Sequence, residues 1–296
     1  MNLWRRIKTL SPSPLLRPPD YQVNSMIVET TPWIVGGEPS SNALCRMFCL
    51  PHSGSGAFQF ASWKNFLPPV LDICPIQLPG RENRFREPPF TRIQAIVENL
   101  ASALHPYLGR PYILYGYSLG ALIAFELARE LRRRKILQPL SLYTLARRAP
   151  HLPQTDRPVH HLPDDIFLTE VARRYNGMPA AVLQDMELMK LLMPPLRADI
   201  TAIETYVYEE EEPLECPIYA FGGKFDPTVK QEDLQAWRLH TSGAFELKIF
   251  EGDHFFIRNN LQAVFRSVLA SLEAICPLSC TIFQTGTFRS TKPRLC

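Results

Sequence analysis

The pentapeptide Gly116-Tyr117-Ser118-Leu119-Gly120 constrains this chain more than any other feature of its sequence. It follows an apolar run, Tyr112-Ile113-Leu114-Tyr115, and opens a helical pattern from Ala121 to Leu131. A strand that ends in Gly-x-Ser-x-Gly and turns directly into a helix puts the serine on a strained turn with its hydroxyl exposed. The glycines let neighbouring backbone pass where a Cβ would clash. The same turn aims the helix N-terminus at the serine, where free N–H groups can hold a developing oxyanion. Such pentapeptides also arise by chance, and the flanking strand and helix are what single this one out.

Around this turn, short apolar runs alternate with helical patterns. Strands are predicted over 45–50, 70–78, 111–115, 140–145, 217–221 and 245–250. Helices are predicted over 91–108, from the serine turn to about residue 135, and over 257–275. This alternation predicts an α/β fold, a mostly parallel sheet with helices on both faces. Residues 150–212 break the rhythm with helical segments and no strand of comparable quality. Asp164 or Asp165 is expected to cap the first of these, and a Leu- and Met-rich stretch over 180–192 forms the next. An insertion between two strands, placed after the serine, reads either as a lid over the strand ends or as an ordinary helical excursion. Met186, Met189 and Met193 suit an adaptable acyl channel or plain core.

A chain of 296 residues with 46% hydrophobic composition can bury a full core in one large domain, here 31–276. The net charge of +3 misleads, because residues 1–26 and 277–296 carry +3 each and leave −3 on the body between them. Basicity confined to two tails provides no stripe for nucleic acid. Pro12, Pro14, Pro18 and Pro19 break regular structure near the start, so 1–30 and 277–296 are expected to be disordered extensions. The acid-poor start, with its arginines and serines, also admits a transit peptide. No 18-residue apolar run exists, so no membrane span is expected. Seven cysteines without a CxxC fit a reducing, cytoplasmic setting rather than a metal site or disulfide framework. The expectation is a monomer with neither metal nor cofactor.

A serine hydroxyl needs a base to take its proton, and the base needs an orienting acid. Among seven histidines, His254 follows strand 245–250 through Glu251-Gly252-Asp253 and precedes the last helix, at the sheet end that carries the serine. Asp226 follows strand 217–221 through Gly222-Gly223-Lys224-Phe225. Ser118, Asp226 and His254 therefore have matching chemistry, a serine–acid–histidine chain order, and three loops of one kind. Asp253 adjoins His254, and adjacent side chains diverge, which makes it a poor orienter. His52 reads as a wall residue, His160 and His161 as a solvated pair, and His105, His151 and His240 as surface or structural positions. The run Arg132-Arg133-Arg134-Lys135 reads as a solvated helix end and Glu209–Glu212 as a polar connector. For the oxyanion, Leu119 offers one N–H. The loop Pro51-His52-Ser53-Gly54-Ser55-Gly56 offers a second, from Ser53, unless it is a simple glycine-rich turn.

With these residues assembled, the chain resembles the type II (external, editing) thioesterases of nonribosomal peptide and polyketide synthesis, a group shared with the medium-chain thioesterases of fatty acid synthesis. The matching segments are Phe48–Gly54, Leu78–Arg84, Gly116–Gly120, Leu162–Asp165, Leu196–Asp199, Phe221–Pro227 and Gly252–Phe256. The resemblance implies an α/β-hydrolase fold, a mobile helical lid over 150–212, and hydrolysis of acyl thioesters on the phosphopantetheine arm of acyl or peptidyl carrier proteins. It makes Ser118 the nucleophile, Asp226 the acid, His254 the base, and Ser53 and Leu119 the oxyanion donors. Tyr117 and Leu119 stand where the family usually has His and Met, which implies altered acyl preference through packing. Ser55 replaces a second loop glycine, which bears on the oxyanion geometry. Members commonly begin near Met26 or later, which sets residues 1–25 apart from the resemblance. The alternatives are a small-molecule carboxylesterase with the same triad and a catalytically silent carrier-binding protein.

Overall fold

The computed structural model describes residues 31–37, 39–40, 43–175 and 185–275. Its six strands are β1 (Cys45–Leu50), β2 (Leu71–Pro75), β3 (Tyr112–Tyr117), β4 (Ser141–Leu145), β5 (Ile218–Gly223) and β6 (Phe245–Phe250). All pair in parallel, in the order β2-β1-β3-β4-β5-β6. The chain enters at β1, steps outward to β2, then returns past β1 to continue from β3. At such a reversal the loops leaving neighbouring strands diverge and open a crevice beyond the strand C-termini. Here the crevice lies between β1 and β3, where Leu50 is paired with Gly116.

Both sheet faces are covered, which is why the central strands read as continuous apolar runs. Tyr112 and Leu114 of β3 join one core with Leu100 of α1 (Ile93–Leu104) and Leu122 of α2 (Leu119–Arg133). Ile113, Tyr115 and Tyr117 point the other way, into a core with Phe265 and Val268 of the last helix, Ile257–Ile275. Strand β2 stops at Pro75 rather than residue 78, and Ile76 instead bridges antiparallel to Ile34. Helix α1 ends at Leu104, with a tighter turn over His105–Tyr107, because Pro106 has no N–H to continue the α-helical ladder.

The insertion between β4 and β5 holds α3 (Asp164–Tyr175) and α4 (Met186–Glu204). Helix α3 begins at Asp164, so Asp164 and Asp165 stand in its first turn, where they complement the helix dipole, and neither is its cap. Asp185 caps α4 by accepting from the Leu188 N–H at 3.0 Å. Of the helix expected over 180–192, residues 180–184 lie outside the described residues. Phe167, Val171, Leu196 and Ile200 join the α1/α2 core. Met189 is buried and Met193 packs partly buried against the same core. Beyond β5 come α5 (Gln231–Gln235), too short to leave a periodic signal, and α6 (Ile257–Ile275). The extensions expected over 1–30 and 277–296 also lie outside the described residues. Among the described residues no helix is long and apolar enough to cross a membrane.

Two polar readings of the sequence are corrected. The cationic end of α2 is not simply solvated: Arg129 and Arg132 each reach Glu211 at 2.8 Å, Arg133 reaches it at 2.5 Å, and Arg134 pairs with Glu130 at 2.6 Å. The 209–212 connector is thereby docked on the helix. His160 is no solvated partner of His161 either. Its Nδ1 lies 2.7 Å from Glu204 of α4, whose carboxylate also accepts the Val159 and His160 N–H groups.

Candidate active site

Ser118 sits between β3 and α2 with φ 54 and ψ −110, the strained turn expected from its glycine-flanked setting. The glycines are required by sterics. A Cβ on Gly116 would lie 2.2 Å from the Gly120 carbonyl oxygen, and one on Gly120 would lie 2.2 Å from that of Leu50. The Ser118 N–H is fixed by the carbonyl of Leu145 at 2.8 Å, which leaves the side chain aimed into the crevice.

The loops after β5 and β6 bring in the other two predicted residues. His254 Nε2 is 3.1 Å from Ser118 Oγ, and His254 Nδ1 is 2.8 Å from Asp226 Oδ2. The His254 side chain is 3% exposed and that of Asp226 1%, so the pair is shielded from water. Asp226 Oδ1 accepts from both the N–H and the hydroxyl of Thr228, each at 2.8 Å. Burial alone would raise the Asp226 pKa. The hydrogen bond and charge of His254, with the two bonds from Thr228, outweigh it and hold the carboxyl below its usual range. Asp253 turns away and accepts the Phe255 N–H at 2.8 Å, as expected of a residue adjoining His254 in sequence.

Tyr117 does more than the packing expected of it. Its hydroxyl donates to the His254 carbonyl at 2.5 Å, and its ring stacks on the imidazole at 6.2 Å. Neither Tyr117 nor Thr228 carried a sequence signal of these contacts, although Thr228 lies two residues beyond Asp226, the spacing of a local side-chain turn. His52 is a wall residue: it meets Tyr117 and Phe255 edge-on, and burial lowers its pKa to about 4, keeping it neutral. Its ring Nδ1–H donates to the Ser53 carbonyl at 3.0 Å.

Ser53 and Leu119 both border Ser118. Leu119 is the first residue of α2, and Ser53 lines the same cavity as Ser118 and His254. Among the described residues no protein acceptor takes the N–H of either. That cavity measures about 140 Å³, with Val171 and Tyr175 of α3 and Leu192, Leu196 and Ile200 of α4 as its apolar wall. A smaller polar one, about 60 Å³, touches the same serine and histidine beneath Arg147, Arg174 and Glu204. Both lie under the insertion.

The chain as a whole is similar to known proteins. The thioesterase domain family matches residues 45–272. Gramicidin S biosynthesis protein GrsT of Aneurinibacillus migulanus is 44% identical over 233 residues, 79% of this chain and 91% of that protein. Thioesterase PikA5 of Streptomyces venezuelae is 38% identical over 233 residues, 78% of this chain and 82% of that one. Among solved structures, the type II thioesterase BorB from the borrelidin biosynthetic cluster superposes with a TM-score of 0.74 at 34% identity, covering 81% of this chain and 97% of that one. The matched span runs from β1 into α6 and takes in the whole α/β-hydrolase sheet. On that evidence the chain belongs to the thioesterase family and is a thioester hydrolase.

Proposed function

We propose that Ser118, His254 and Asp226 are nucleophile, base and orienting acid in the hydrolysis of acyl thioesters carried on the phosphopantetheine arm of a carrier protein. The observation that carries this reading is the unbroken hydrogen-bond relay from Ser118 Oγ through His254 to Asp226 Oδ2, opening into an apolar cavity. His254 Nε2 takes the serine proton as Oγ attacks the thioester carbonyl. The imidazolium is held in register by Asp226 on its other nitrogen. The tetrahedral oxyanion is taken by the N–H groups of Leu119 and Ser53, with the α2 dipole behind the first. His254 then gives its proton to the departing sulfur, a better leaving group than an alkoxide because a thiol ionises far more readily than an alcohol. Water, deprotonated by His254, resolves the acyl-enzyme and releases the free acid.

The insertion serves in this reading as a lid. It roofs both cavities with α3 and α4, so its opening admits the pantetheine arm and its closure excludes bulk water. The likeness to GrsT and to BorB supports a partner synthase of the nonribosomal peptide or polyketide type, with editing or release of carrier-bound acyl groups as the task. The four described cysteines are free thiols, in keeping with the reducing cytoplasm. The test compares one acyl group on a phosphopantetheinylated carrier, on coenzyme A and as a p-nitrophenyl ester. Remote carrier contacts lower the barrier only if they are made in the transition state, so kcat/KM is expected to be highest on the carrier. Faster turnover of the oxygen ester points to a carboxylesterase. Carrier binding without turnover points to a silent binding protein.

A further inference from the structure

The oxyanion-side loop after β1 is held almost entirely by side chains from elsewhere. The Ala57 N–H donates to Gln77 Oε1 at 2.8 Å, and the Phe58 N–H to the Glu82 carboxylate at 3.1 Å. The Gly54 N–H, next to Ser53, donates to Asp199 Oδ2 at 2.7 Å. Asp199 belongs to α4 of the insertion and is fully buried. Its carboxylate also takes both ends of the Arg81 guanidinium, at 2.6 and 2.8 Å, while Arg81 Nη1 donates to the Ser55 carbonyl at 3.2 Å. One turn back on α4, Leu196 presses on Gly54, leaving 3.0 Å between its Cδ1 and a Cβ built there.

A buried ion pair of this kind is weak evidence for stability, since well-packed apolar residues often serve a fold as well. An apolar pair cannot, however, accept the Gly54 N–H. Without that acceptor the Ser53–Gly54 peptide, next to the one bearing the Ser53 N–H, loses its anchor, which leaves the turn its own 3.1 Å bond from the Ser55 N–H to the His52 carbonyl but no hydrogen bond to α4. We infer that Asp199, oriented by Arg81, is a positioning residue that sets the Ser53 N–H for the oxyanion and makes that geometry depend on the seating of α4. A lid helix lifted off the body would carry the loop's anchor away with it, so the hole is complete only when the insertion is closed. This inference rests on the reading of Ser53 as an oxyanion donor in the proposed mechanism.

Two uncharged double variants isolate the bond. Arg81→Met with Asp199→Leu removes ion pair and acceptor together. Arg81→Met with Asp199→Asn removes the ion pair but keeps an oxygen for the Gly54 N–H. The readouts are kcat/KM for an acyl thioester, thermal midpoint, and affinity for an acyl trifluoromethyl ketone, whose adduct with Ser118 carries an oxyanion. Deleting an oxyanion donor costs about 10²–10³-fold, and displacing one is expected to cost roughly 10–100-fold. The leucine variant should lose that factor in kcat/KM and in inhibitor affinity together, with an unchanged thermal midpoint, while the asparagine variant stays within about threefold of wild type. If the leucine variant does not fold, Arg81→Met with Asp199→Ala stands in for it. Ser118→Ala separates the two readings, because residual turnover in that variant strikes the catalytic assignment itself. Ser118-dependent turnover at the full rate in the leucine variant, or a kcat/KM loss with unchanged inhibitor affinity, overturns the positioning role alone.

Discussion

At the residue scale the site turns on how Asp226 stays ionised in a nearly dry position. Burial works against the charge, and three hydrogen bonds, one from His254 and two from Thr228, restore it. In the proposed mechanism the ionised carboxylate fixes which imidazole nitrogen carries the proton and stabilises the cation formed when His254 takes the serine proton. Asp226→Asn is therefore expected to lower kcat about 10³–10⁴-fold, since the amide can present the wrong tautomer and cannot offset the imidazolium. Asp253→Asn, which removes a charge but keeps an amide oxygen to accept the Phe255 N–H, should stay within a few-fold. Parallel kinetics on the two variants decide the assignment, and a larger loss at Asp253 reverses it. Ser118, Asp226 and His254 were legible in the sequence because each follows an apolar run that becomes a strand. The contacts of Tyr117 and Asp199 were not, because they are set by tertiary packing, whereas Thr228 reaches Asp226 through a local turn that its spacing alone did not single out.

At the scale of elements, strands were the most readable part of the chain. Runs such as Tyr112–Tyr115 and Ile218–Phe221 are buried on both sheet faces and so have no polar positions to blur them. The insertion was readable only as helical, since its burial is divided between the core and a cavity wall. Charge runs misled for a related reason. Three arginines and a lysine at 132–135 and four glutamates at 209–212 look solvated in isolation, yet Glu211 meets Arg129, Arg132 and Arg133 of α2 at 2.5–2.8 Å. These arginines outweigh the desolvation of the Glu211 carboxyl and hold its pKa low. Glu211→Gln should cost about 1–2 kcal/mol, given a partly buried network rather than one exposed pair. The thermal midpoint should fall by roughly 2–8 °C with thioester turnover unchanged. An unchanged midpoint would show that the 209–212 connector docks without help from this network.

At the scale of the whole molecule, the strand order does the assembling. Ser53, Ser118, Asp226 and His254 span two hundred residues of chain, yet all leave the C-terminal ends of parallel strands, and the reversal between β1 and β3 opens the space they share. The same burial that isolates the site gives the fold an acid sensitivity. Burial lowers both His52 and His240 from 6.5 to about 4, helped at His240 by the charges of His151 and Arg129. Between those values the unfolded chain binds more protons than the folded one, so stability falls as pH drops through that window. Urea midpoints should decline from about pH 7 to about pH 4.5, with a shallower decline in His240→Phe, which keeps a ring but cannot titrate. A midpoint flat across that range contradicts the buried neutral state. The central claim is that hydrolysis runs through Ser118, and the most direct measurement is turnover of a carrier-bound acyl thioester by Ser118→Ala. The alanine removes one hydroxyl and leaves the turn and its glycines in place, so the variant should melt with wild type while kcat drops about 10⁵–10⁶-fold. A folded Ser118→Ala that turns over within tenfold of wild type would contradict the account.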